Sequence, residues 1–209
     1  LASSFADLAN KILLIDIALT AVALVMGTKA VQASSQFGAS MSTLDRFITE
    51  SGVSSGQYRA QFEQLSVQYA IGINDIVSST ADWKAANFDM RASLDLTRIA
   101  MDYATAGQVE AGYATETLKK ILSGMAVEQD KAASSATRFG DVINFISDKS
   151  TSGFREIADG VAAIAPSIKA SGGSFEQMTG VVSVLADTLQ SGSRAGEGIR
   201  VMMGQLKDP

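Results

Sequence analysis

The chain has 209 residues, with 17 Lys and Arg against 22 Asp and Glu for a formal net charge of −5, and it holds no Cys, no His, two Pro, 18 Gly, 31 Ala and 25 Ser. Without Cys there is no disulfide framework, thiolate metal site or cysteine nucleophile, and without His there is no Ser-His-Asp triad and most zinc sites are excluded. The acidic balance argues against a dedicated nucleic-acid surface, and a hydrophobic content of 46% excludes ordinary disorder.

Apolar residues recur at helical spacing and strand-like alternation is nearly absent, so the expected fold class is all-α. Helices are expected near 2–36, 38–50, 55–71, 73–105, 110–123, 127–149, 152–170, 174–190 and 194–206. They are short to medium in length and packed as helical hairpins, with no heptad run long enough for a continuous coiled coil. The sequence divides into apolar and amphipathic N-terminal helices over 1–50 and a helical core region over 51–209. Beginning on Leu1 rather than Met, it is read as a piece of a longer polypeptide.

The first expected helix contains the most hydrophobic stretch, Ile12 to Met26. Its apolar members Ile12, Leu13, Leu14, Ile15, Ile17, Leu19, Val22, Leu24 and Val25 form a candidate helix-packing or membrane segment. As a helix the stretch spans about 22 Å, against roughly 30 Å of hydrocarbon, and Asp16 inside it would cost a few kcal/mol at a bilayer centre. A buried or self-packing helix is the first reading, and transient membrane insertion the second.

Further along, four apolar stripes mark buried helix faces: Tyr58, Phe62, Leu65 and Tyr69; Phe88, Ala92, Leu96, Ile99 and Tyr103; Phe154, Ile157, Val161, Ile164 and Ile168; Phe175, Met178, Val182, Leu185 and Leu189. Ser54-Ser55-Gly56-Gln57 and Ser174-Phe175-Glu176-Gln177 read as capping boxes. Gly107, Gly124, Gly153, Gly172 with Gly173, and Gly192 fall near the expected helix ends, where positive φ is cheap for glycine.

No pattern carries catalysis, a cofactor or a resident metal. Asp75, Asp82 and Asp89 at seven-residue spacing read as a solvated face, because the calcium-loop pattern is missing. Arg91, Asp95 and Arg98 read as a surface ion-pair ladder worth tenths of a kcal/mol. Trp83 reads as a packing anchor before a ligand platform, and Met125, Met178, Met202 and Met203 as adaptable packing. Gly196-Glu197-Gly198 lacks the strand and the Gly-Lys-Ser/Thr ending of a phosphate loop.

Four stretches carry a family likeness. They are the apolar helix leading to Phe37-Gly38-Ala39-Ser40-Met41-Ser42; the run from Ser66 to Gly72, followed by Ala104-Thr105-Ala106-Gly107; Ser171 to Gln177, with Gly172, Ser174 and Glu176; and Leu185-Ala186-Asp187 followed by Ser191 to Arg200, with Gly192, Ser193, Ala195, Gly196 and Arg200. On these the chain resembles the core region of tail tape measure proteins of long-tailed bacteriophages and prophages. Leu189 stands where that pattern usually has glycine, and Ile199 where it has leucine.

The resemblance implies a structural virion protein and not an enzyme. It would set tail length and scaffold assembly from the tail tube lumen, after a period in the host cytoplasm, and take part in genome ejection. The implied partners are the tail tube protein, tail tip or distal tail proteins, tail assembly chaperones and further copies of itself, with transient host-membrane contact and no sequence-specific nucleic acid binding. The alternative reading is a membrane-active, pore-forming or toxin-like helical module.

Overall fold

The computed structural model describes residues 55–205, together with Ser42. The expected helices at 2–36 and 38–50, the Ile12–Met26 stretch, the Phe37–Ser42 motif apart from helical Ser42, and the first capping box lie outside the described residues or rest on side chains that do. Described residues form α1 (Ser55–Tyr69), α2 (Ile73–Ala85), α3 (Met90–Gly107), α4 (Ala111–Gly124), a 3-10 turn (Gln129–Lys131), α5 (Ala132–Ser147), α6 (Phe154–Ser171), α7 (Phe175–Leu189) and α8 (Gly192–Gln205), with no strand among them. The fold is all-α, as the apolar periodicity requires.

One expected helix is two. The span 73–105 breaks after Ala85, Asn87 takes a φ of 68°, and Asp89 starts α3 by accepting a hydrogen bond from the Ala92 N–H at 2.8 Å. Asparagine tolerates the left-handed region and aspartate is a strong N-cap, so Asn87-Phe88-Asp89 is a stop-and-restart signal. This break also separates the three spaced carboxylates: Asp75 lies in the first turn of α2, Asp82 near its end, and Asp89 is a cap. Asp89→Ala should destabilise the protein by about 1 kcal/mol, readable as a lower urea midpoint with an unchanged slope.

The glycines expected to take positive φ mostly do not. Among the described residues the left-handed positions are Ala70, Asn87, Gln108, Ala126, Gln190 and a single glycine, Gly172. After five of these, the next N–H reaches back to a carbonyl in the last helical turn: Ile71 to Ser66, Phe88 to Trp83, Val109 to Ala104, Val127 to Leu122 and Gly173 to Ile168. Ile71, Phe88, Val109 and Val127 then pack against the core. The apolar residue after the turn, by closing a Schellman cap, offsets the left-handed strain of its non-glycine predecessor.

Gly107 and Gly124 serve packing instead. A Cβ on Gly107 would stand 2.8 Å from Phe154 Cγ and closer still to the ring edge, and one on Gly124 would stand 2.8 Å from Ala165 Cβ. Their missing side chains let α3 and α4 approach α6.

Alpha-6 is the hub, packing on α4, α5, α7 and α8. Its stripe Ile157, Val161, Ile164 and Ile168 is fully buried, as expected, while Phe154 is half-buried. Across the N-terminal half, α2 meets α3 and α4 through short hydroxyl side chains. Thr80 and Thr97 oxygens lie 2.9 Å apart, and those of Ser79 and Thr115 2.7 Å apart. Thr80, Thr97 and Thr115 also bond carbonyls one turn back in their own helices, so these buried hydroxyls are satisfied. Of the other stripes, Tyr58, Phe62, Leu96, Ile99, Tyr103, Phe175 and Val182 are buried, whereas Leu189 at the end of α7 is 44% exposed.

Candidate functional site

The motif of the last two helices resolves into a close crossing of α6 and α8. Gly192 and Gly196, four residues apart on one face of α8, meet Glu156 and Gly160 on one face of α6. A Cβ on Gly192 would fall on the Glu156 carbonyl and 2.8 Å from its Cα; one on Gly196 would lie 2.7 Å from the Gly160 carbonyl oxygen; one on Gly160 would lie 2.8 Å from the Gly192 oxygen and 2.6 Å from Val182 Cγ1. The two backbones touch, with Ala195 and Ile199 buried beside them. Because Gly192 pairs with Glu156 and Gly196 with Gly160, α8 runs in the same direction as α6, and α7, which precedes α8 in the chain, runs the opposite way, its end tied by Asp187 to Ser152 before α6.

The remaining motif residues divide between capping and surface. Gly172, with a φ of 68°, terminates α6. Ser174 caps α7, accepting from the Gln177 N–H at 3.4 Å. The reciprocal half of the expected box is not formed by Gln177. The Ser174 hydroxyl instead donates to Glu176 Oε2 at 2.7 Å, and Arg138 of α5 holds Glu176 Oε1. The Ser174 hydroxyl is the largest cause, with Arg138 a smaller one, of a Glu176 carboxyl held below its ordinary range. Leu185 is half-buried, Ser193 is exposed, and exposed Arg200 pairs with Glu197 at 2.7 Å.

Asp187, in the same motif, ties the α5–α6 connection to α7. Its Oδ1 accepts from the Ser150 hydroxyl and the Ser152 N–H, each at 2.6 Å. These donors, Ser150 first, hold its carboxyl well below its ordinary value of 3.8. A depressed folded-state pKa contributes stability at pH values above the unfolded pKa, and that contribution is lost as acid protonates the folded carboxylate. The tie therefore weakens as pH falls through and below about 3.8. In Asp187→Asn the acid limb of a stability-against-pH curve should flatten, leaving the neutral-to-alkaline limb unchanged in shape; urea titrations across that range measure it.

A second tie joins α4 to α6. Tyr113 donates to Asp159 Oδ1 at 2.8 Å, the Arg155 guanidinium lies 4.0 Å from the Tyr113 ring centroid, and Arg155 pairs with Glu110. Burial and then the Asp159 bond raise the Tyr113 phenol above its ordinary range. Tyr69 donates to Asp102 at 2.7 Å, and burial followed by that bond pushes its phenol up to about 12. Tyr103 is buried edge-on to Phe154, 4.5 Å between centroids, and its hydroxyl has no partner among the described residues.

An apolar groove of about 670 Å³ lies where the ends of α2 and α4 meet the middle of α6. Trp83, Phe88, Leu122, Val127, Ala162 and Pro166 line it, with Glu116, Lys119 and Lys120 on the rim. Trp83 is 1% exposed, stands edge-on to Phe88, and keeps an indole N–H without a partner among the described residues. It is the packing anchor expected and also a wall of this groove. Composition and spacing did not show the groove, because its walls come from separate helices.

Among the described residues no group of His, Cys, Asp or Glu is placed to hold a metal ion. The expected Arg91–Asp95–Arg98 ladder is not among their ion pairs, which join instead Arg59–Glu63, Glu116 with Lys119 and Lys120, Glu128–Lys131, Glu110–Arg155, Arg138–Glu176 and Glu197–Arg200.

Residues 59–209 match the family described as phage-related minor tail protein. Over 151 residues the chain is 26% identical to the probable tape measure protein of Escherichia phage P2; the aligned stretch covers 72% of this chain and 18% of that protein. The chain thus spans less than a fifth of that relative's length. No solved structure matches it.

Proposed function

The chain belongs to the phage-related minor tail protein family, and from that premise we propose that it is a packed helical module of a tail tape measure protein. The family match over residues 59–209 carries this reading, and the likeness to the phage P2 protein supports it. Its role is structural and non-catalytic. It works in the tail tube lumen after assembly in the host cytoplasm, where the parent chain sets tail length and scaffolds the tube.

Its partners in this reading are the tail tube protein, tail tip or distal proteins, assembly chaperones and further copies of itself. Exposed Val181, Val184, Leu189, Val201 and Met202 on the last helical hairpin offer apolar surface for such contacts. In this reading residues 1–50 are the apolar and amphipathic N-terminal part and 51–209 the helical core region. A part in genome ejection, with transient host-membrane contact by Ile12–Met26, is the further role we assign to that N-terminal part. Among the described residues no helix is long and apolar enough to cross a membrane.

Helix geometry says what this block contributes to length. At about 1.5 Å per residue, residues 55–205 drawn out as one helix would span about 230 Å, whereas the longest folded helix, of 18 residues, spans only about 27 Å. The packed block is therefore a poor ruler, and most of the measuring falls to other parts of the parent chain. Electron microscopy of particles carrying parent-chain deletions tests this. Deletions elsewhere should shorten tails by about 1.5 Å per residue, and deletion of 55–205 by no more than about 30 Å. Tail length insensitive to every deletion would end the ruler reading; a loss near 230 Å on removing 55–205 would show the block drawn out in the tail.

A further inference from the structure

Rim charge and wall chemistry of the groove between α2, α4 and α6 identify an occupant. Lys119 and Lys120 share one carboxylate, Glu116, at 3.6 Å each, which leaves a net positive rim on a chain of net charge −5. Below the rim the open walls are Phe88, Val127 and the ring of Pro166, with Leu122 and the almost fully buried Trp83 forming the floor behind them. Small Ala86 and Ala162 also line it. The negative ends of α2 and α4 oppose an anion there, but capping N–H groups of Ala86 and Phe88, and of Met125 and Val127, already engage their last carbonyls. Such dipole effects fade within one turn.

A small-molecule pocket needs a few polar groups converging within it. Here the polar lining residues Ser123 and Gln129 are exposed like Glu116 and Lys120, at the edge of the groove, and the deeper walls are apolar, the arrangement that receives an amphipathic helix by its apolar anchors. We propose that this groove docks an acidic amphipathic segment of a partner polypeptide, apolar side chains entering between Phe88 and Pro166, over the buried Trp83, and carboxylates meeting Lys119 and Lys120. The volume of about 670 Å³ accommodates several side chains. This assignment goes beyond the tape measure reading and does not depend on it.

Trp83 is the chain's single tryptophan, so its fluorescence reports on the groove without labelling. The full 209-residue chain would be titrated with two synthetic 14-residue helical peptides that share one Leu/Phe face, one bearing Glu and the other Lys on the polar face. The acidic peptide should shift Trp83 emission saturably, the basic one should bind at least tenfold more weakly, and the double substitution Lys119→Glu, Lys120→Glu should reverse that preference. Both lysines are solvent-accessible, and circular dichroism of the variant checks that it is folded. The single variant Lys120→Glu, at the more exposed lysine, should weaken acidic-peptide binding severalfold if the double variant fails that check. No saturable shift with the acidic peptide, equal binding of the two peptides, or an unchanged preference in the folded charge-reversed variant would overturn the proposal.

Discussion

Gly192→Ala is expected to destabilise the protein by about 3 kcal/mol, lowering the thermal midpoint by about 6–12 °C for a domain of this size. The added methyl would fall on the Glu156 carbonyl of α6. Backbone cannot swing aside as a flexible side-chain tip can, so α8 must lift away from α6. Lifting it also parts Gly196 from Gly160 and loosens the buried Ala195 and Ile199, which puts the cost at the upper end of overpacking penalties. Gly198→Ala is the matched control. It lies in the same helix with nothing within 4 Å of an added Cβ, so it should stabilise by about 0.5 kcal/mol through helix propensity. Denaturant melts of the two variants separate the readings: equal effects would mean that the crossing does not govern stability.

Phe175→Ala should cost about 4 kcal/mol. Phe175 is 1% exposed and opens α7 immediately after the Ser174 cap, with its ring centroid 4.2 Å from that of Phe139 in α5. Truncation leaves a cavity that neither helix end can collapse into, because Arg138–Glu176 on one side and Asp187 with Ser150 and Ser152 on the other hold α5 and α7 in register. Against a typical domain stability of about 5–15 kcal/mol, such a loss should shift the thermal midpoint by about 8–16 °C. Phe175→Leu, which keeps most of the volume, should cost about 1.5 kcal/mol or less.

Those two positions show how unevenly the fold could be read beforehand. Phe175 was visible as the first residue of an apolar stripe behind a serine cap, because stripe and cap are local patterns. Gly192 is not a turn glycine. Its place near a helix end suggested a turn, but the turn falls on Gln190, whose φ is 50°, and Gly192 is the first residue of α8. The usable signal was its four-residue spacing from Gly196 on one helix face, which marks close helix approach. The break at Asn87 was legible in Asn-Phe-Asp but was overridden by an apolar period that runs across it. The groove had no sequence signal, since Trp83, Leu122 and Pro166 come together only when three helices do.

From sequence alone came the all-α class and the buried faces of α1, α3, α6 and α7, because helical periodicity and capping are properties of neighbouring residues. The tertiary structure alone decided that α8 runs along α6, that glycines serve contact more than turning, and that one apolar groove stays open beneath two lysines. Each of these depends on backbones or side chains from distant segments meeting, and a linear pattern does not specify which faces will touch.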